Sequence, residues 1–174
     1  TYGWTISDAG EDCSSYFITR WKTDNPGASA SNQITIPTGE GVFGYTVDWG
    51  DGSTDNTVYT GSATHTYSVA GEYSVSISGA FPHLKFGDGG DNDKLLSVEQ
   101  WGDQAWGSME QSFYNCSNVV INATDVPNLS GVDSMAKMFS GATSFNQAIG
   151  SWNVANVNTM SYTFYGATNF NQYL

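Results

Sequence analysis

An internal repeat of about 25 residues runs through the second half of the chain and limits what it can fold into more than any other feature. Trp101, Pro127 and Trp152 are spaced by 26 and 25 residues; the same register relates Trp106, Val132 and Val157, then Met109, Met135 and Met160, then Phe113, Phe139 and Phe164. The segment F-S-G-A-T-S-F-N-Q (Phe139 to Gln147) returns as F-Y-G-A-T-N-F-N-Q (Phe164 to Gln172), and F-Y-N-C-S-N-V (Phe113 to Val119) is a looser first copy. Each unit reads as a short strand, around Val98, Leu129 or Val154, then a turn and one or two helical turns carrying M-x-x-x-F. That four-residue spacing puts Met and Phe on one face. A single unit cannot bury this face, so neighbouring units are expected to stack into one continuous core. Leu174 falls inside a unit, which implies further chain beyond it.

The first half has the other periodicity. Ile34 and Ile36, then Phe43, Tyr45, Val47 and Trp49, then Tyr73, Val75 and Ile77 alternate with polar neighbours, and Val58 to Thr60 forms a further short run. Gly and Asp turns separate these runs, the pattern of a β-sandwich. Upstream, Tyr2 to Asn32 is weakly patterned: Tyr16, Phe17 and Ile18 lead to Trp21, and D-N-P-G at Asp24 to Gly27 reads as a turn. Residues 80–94 change character, from A-F-P-H-L to a Gly and Asp loop, and place a junction between a domain over 1–90 and repeats over 91–174.

Charge excludes several partners. Five basic side chains face 17 acidic ones among 174 residues, a net charge of -12, so a phosphate backbone is repelled and nucleic acid is not expected. No apolar run approaches the roughly 20 residues that span a bilayer, so no membrane insertion is expected within this chain, and no basic-then-apolar leader opens it. Cys13 and Cys116 have no metal-binding spacing; a single bridge between them is left open.

Catalytic chemistry finds little support. His65 and His83 have no serine, cysteine or acid at a spacing that makes a nucleophile system, and G-x-S-x-G is absent. Two carboxylates could run glycoside hydrolysis, but nothing distinguishes one pair among so many turn aspartates. Calcium is the better metal expectation, because closely spaced Asp and Asn oxygens suit that ion. The candidate ligands are Asp48, Asp51 and Asp55 in D-W-G-D-G-S-T-D, and Asp88, Asp91 and Asp93 in D-G-G-D-N-D, the second set being preferred for its irregular loop. No other cofactor is expected. Among the aromatics, Trp4, Trp21 and Tyr162 lack an evident core role and are the candidates for ligand contact.

Two resemblances add to this. V-D-W-G-D-G-S (Val47 to Ser53), T-H-T-Y (Thr64 to Tyr67) and A-G-E-Y-S-V-S-I (Ala70 to Ile77) together resemble the polycystic-kidney-disease (PKD) type of immunoglobulin-like domain over about residues 33–80. Residues 95–174 resemble the BspA-like leucine-rich repeats of bacterial surface antigens and mycoplasma surface lipoproteins, on Ala142, Thr143, Phe145, Asn146, Gln147, Ile149, Trp152, Asn153, Val154, Val157, Met160 and Phe164. The first unit departs, with Gly102 and Asp103 where the last has Asn153 and Val154, as a capping unit would. The resemblances imply a mainly β chain: an immunoglobulin-like β-sandwich followed by a short leucine-rich-like β/α solenoid. They imply a non-catalytic adhesion or protein-binding module, extracellular or on a bacterial cell surface, whose partner is an extracellular protein or glycan. The alternative is a calcium-dependent peptide- or carbohydrate-binding module of a large adhesin, and the remote one a two-carboxylate glycoside hydrolase.

Overall fold

The computed structural model describes residues 13–174. The chain is mainly β, with strands β1 (Phe17–Lys22), β2 (Gln33–Ile36), β3 (Gly44–Asp48), β4 (Ala63–Thr66), β5 (Glu72–Ala80), β6 (Leu95–Gln100) and β7 (Val120–Ile121). Five of them form a mixed sheet in the order β3-β5-β1-β6-β7, and β2 pairs with β4 in a second sheet. All pairings are antiparallel except β6 with β7. Ile34 and Ile36 of the small sheet and Phe17, Trp21, Tyr45, Val47, Val75 and Ile77 of the large one bury into a single cluster.

The central strand, β1, is the one whose sequence shows no clean alternation. Its inward positions are Phe17, Thr19 and Trp21, all buried, and the polar Thr19 interrupts the apolar pattern. Thr19 is satisfied inside: its hydroxyl accepts from the Trp21 indole at 2.9 Å and donates to the Val75 carbonyl at 3.4 Å. The run Val58 to Thr60 makes no strand; Tyr59 alone bridges Tyr45, and Val58 is exposed.

The strand β6 lies beyond the expected junction at 90/91, yet it pairs along β1, so the large sheet continues across that point. The turn after β6 is tied to the same strand's approach. Gly102 has φ 63°, and a Cβ there would meet the Tyr16 and Ser15 carbonyl oxygens at 2.4 Å, so only glycine fits. The Asp125 carboxylate accepts from the Gly102 and Trp101 amides at 2.8 and 3.1 Å.

The M-x-x-x-F units are not helical. In segments 109–116, 135–142 and 160–167 every second amide bonds three residues back, as Ser112 does to Met109 and Met138 to Met135. The intervening amides reach the next segment: Met109, Gln111, Phe113 and Asn115 donate to the carbonyls of Ser134, Ala136, Met138 and Ser140, and Met135, Lys137, Phe139 and Gly141 to those of Thr159, Ser161, Thr163 and Tyr165. An α-helix would consume all of these internally, and it cannot contain the positive φ found at Gln111, Lys137 and Tyr162. Stacking of the phenylalanine column is direct: Phe113, Phe139 and Phe164 lie 5.3 and 5.9 Å apart at interplanar angles of 14° and 5°. Strands around Leu129 and Val154 do not form; Leu129 is buried in a turn and Val154 is partly exposed.

Residues 81–94 cover the other side of the first segment. The His83 ring shares a hydrogen bond with the Glu110 carbonyl (2.9 Å), the Asn92 amide donates to the Tyr114 carbonyl (2.6 Å), and the Phe86 backbone amide donates to the Gln111 carbonyl (3.1 Å). The Glu110 and Tyr114 carbonyls, which no preceding segment serves, thereby find partners, as buried polar groups require.

Candidate binding groove

The expected calcium ligands are each engaged by separate donors. Asp48 accepts from the Gly50 amide at 2.9 Å. Asp51 accepts from the Ser53 amide at 2.9 Å and meets His65 Nε2 at 2.8 Å. Asp55 accepts from the Trp49 indole (2.9 Å), the Tyr59 hydroxyl (2.7 Å) and the Thr57 amide (2.9 Å). Burial would raise the Asp51 pKa, but hydrogen bonds from Ser53 and His65 outweigh it and bring it down to about 2. The Trp49 and Tyr59 donors hold Asp55 lower still.

In the second cluster Asp91 turns inward, taking the Ser29 amide (2.9 Å), the Ser29 hydroxyl (2.6 Å) and the Thr35 amide (2.7 Å). The cation beside it is the chain's own: Lys94, fully buried, lies 3.8 Å from Asp91. Its ammonium donates to the carbonyls of Ser29, Ala30 and Gln33 at 3.0, 2.8 and 2.9 Å, which uses its three protons. Asp88 instead accepts from Asn115, and Asp93 from Ser117. Among the described residues no group of three or more His, Cys, Asp or Glu side chains is arranged to hold a metal ion.

The other expected positions divide. Trp21 is core. Trp4 lies outside the described residues. Cys116 is a free, fully buried thiol whose pKa burial pushes up, and His83 is buried with its pKa lowered by that burial. Tyr162 is 66% exposed and stands at the edge of a groove of about 460 Å³ that crosses all three turn segments.

That groove is built from two columns of the repeat. Lys137 and Tyr162 line it from one column, whose third member, Gln111, lies outside the lining; all three have φ between 56° and 58°. Tyr114, Ser140 and Tyr165 occupy the next; Tyr165 is 71% exposed and its ring packs edge-on against Tyr162 at 5.9 Å. Lys137 Nζ lies 6.0 Å from the centre of the Tyr114 ring. Gly141 and Gly166 leave the floor open between the rings. Among the described residues no carboxylate lines the groove; Asp88 touches its margin through Asn115.

Residues 92–174 match a known family model. Its description is "Mycoplasma protein of unknown function, DUF285". The DUF285 match takes in β6, β7 and the three turn segments, so every groove residue lies inside it. Comparisons with curated proteins and with solved structures return no match. The signal that marks the groove was present in the repeat itself: Tyr165 and Tyr114 fall at one repeat position and Lys137 and Tyr162 at another, outside the Met and Phe columns.

Proposed function

We propose that this chain is a non-catalytic binding module of the adhesion type, acting outside the cell or on a bacterial surface. Its ligand is an extracellular macromolecule held against the turn segments. In this reading the strands β1 to β5 are an immunoglobulin-like sandwich of the PKD type. The segments after it are successive turns of a short solenoid related to the BspA-like repeats, with residues 81–94 as its cap. The observation that carries it is the Tyr114, Lys137, Tyr162 and Tyr165 groove, where Tyr162 and Tyr165 stand in solvent while Met109, Phe113, Met135 and Phe139 of the stacked segments are buried. Exposed aromatic and cationic anchors grouped in a concave site are what recognition uses, whereas a purely structural repeat has no need of them. The calcium-dependent reading has no comparable support, because each candidate carboxylate is already engaged by donors of the chain.

Surface plasmon resonance of the purified chain over immobilised extracellular-matrix proteins and glycans, with chelator present, tests the reading. Binding that persists in chelator and is lost in Tyr165→Ala supports it. Turnover of a glycan, or binding indifferent to Tyr165→Ala, overturns it.

A further inference from the structure

We infer that the groove is a site for an acidic saccharide, its sugar faces stacked on Tyr162 and Tyr165 and its anionic group held by Lys137. This rests on the binding reading above and names the ligand class.

Backbone strain marks the groove wall. The repeat places two residues per segment in the left-handed region. At one of these positions the chain has Asn115, Gly141 and Gly166, the residues that tolerate that conformation. At the other it has Gln111, Lys137 and Tyr162, none of which does. Glycine would serve the backbone equally well in both places. A side chain kept at an unfavourable φ, twice in the wall of the same groove, points to use of that side chain by a ligand.

Charge favours an anion here. The chain carries a net charge of -12, yet the stretch from Ser134 to Leu174 has no acidic residue and one cation, Lys137. An anionic group approaching the groove therefore meets its one attractive charge there, and approaching most other faces it meets repulsion. The Lys137 ammonium lies 6.0 Å from the centre of the Tyr114 ring, at the outer edge of cation–π reach, and both residues line the groove.

The lining suits a sugar. Tyrosine rings offer flat apolar faces to the C–H faces of a sugar ring, and their hydroxyls, the Ser140 hydroxyl and the Asn115 amide supply polar contacts at the rim. A protein hot spot is a fully desolvated pocket; this groove is open to solvent, with Gly141 and Gly166 in its lining.

Isothermal titration calorimetry of the whole chain, in chelator, with oligogalacturonides, with sulfated oligosaccharides and with neutral galacto-oligosaccharides, tests the inference. Binding to at least one acidic series, weaker by tenfold or more for its neutral counterpart and falling as salt rises, is the expected result; which acidic series binds distinguishes carboxylate from sulfate. Lys137→Gly is expected to lose at least tenfold in affinity while its melting midpoint does not fall, and Lys137→Gln to lose binding similarly. Absence of binding to both acidic series, or binding unchanged in both Lys137 variants, overturns the inference. If a protein ligand is instead captured in a manner that Tyr165→Ala abolishes, the saccharide assignment fails while the binding reading stands; if no ligand depends on Tyr165, both fail.

Discussion

At the scale of single residues, the left-handed positions give a measurable trade-off. Replacing Lys137 by glycine removes a Cβ from an unfavourable φ of 56° and leaves the exposed side chain's partners in water. The expected gain is ~0.5–1 kcal/mol in urea unfolding, net of glycine's greater freedom in the unfolded chain. Loss of stability instead would mean that the Lys137 stem packs structurally. The aspartates of the first loop give a second expectation. Hydrogen bonds hold Asp51 at about 2 and Asp55 lower, both below the usual carboxylate value. A depressed folded-state pKa contributes stability that is complete above the unfolded value, about 4, and is lost as pH falls through the folded one. Thermal midpoints should therefore drop from pH 5 toward pH 2, and Asp55→Asn should be less stable at pH 6 and less sensitive to acid.

Much of this was legible beforehand, and the failures have physical causes. The alternation in Ile34 to Ile36, Tyr45 to Val47 and Tyr73 to Ile77 marked β2, β3 and β5 correctly. The strand β1 was faint because its inward Thr19 is polar, satisfied by Trp21 and Val75 in a way no periodicity reveals. The four-residue Met to Phe spacing suggested helix because a helix brings such residues together; alternate inter-segment amides achieve the same burial with a different backbone. The groove was half visible: Tyr162 stood out, but Lys137 and Tyr165 become its neighbours only through the stacking of segments about 25 residues apart.

Among the elements, the contact between the loop 29–33 and the segment 91–94 is the most exacting. Three loop carbonyls and the Asp91 carboxylate surround one buried ammonium. Lys94→Met would strand the Asp91 charge and leave three acceptors short of a donor. The expected cost is about 3 kcal/mol or more, read as a fall in the denaturation midpoint. Asp91→Asn should cost less, because its amide oxygen still accepts from Ser29 and Thr35. The loop with the most aspartates is thus organised by a residue just past it.

For the molecule as a whole, β6 joins the two halves, since it belongs to the large sheet and lies at the start of the matched region. Trp101 and Trp106 follow it and touch Phe17 of β1 (5.8 and 5.0 Å) on one side, while Trp101 reaches Trp152 (5.4 Å) on the other. With one core running through both halves, unfolding is expected to be a single transition. Tryptophan fluorescence and hydrogen exchange at Phe139 and at Val75 should report the same midpoint in denaturant. A repeat region that melts separately would show the shared sheet to be a weak link.

The inter-segment ladder also has a direction. Segments 109–116 and 135–142 each give alternate backbone amide hydrogens to the segment that follows, while the amides of Thr163, Tyr165 and Ala167 bond within their own segment. Under tension applied at the C-terminal side, the last segment bears the load first and peels from its neighbour before the next is strained. Each release frees about 25 residues, roughly 85 Å of extended chain. A molecule tethered by its sheet and pulled through a ligand on its segments would pay out slack in steps, sparing the strand-paired end from the first shock.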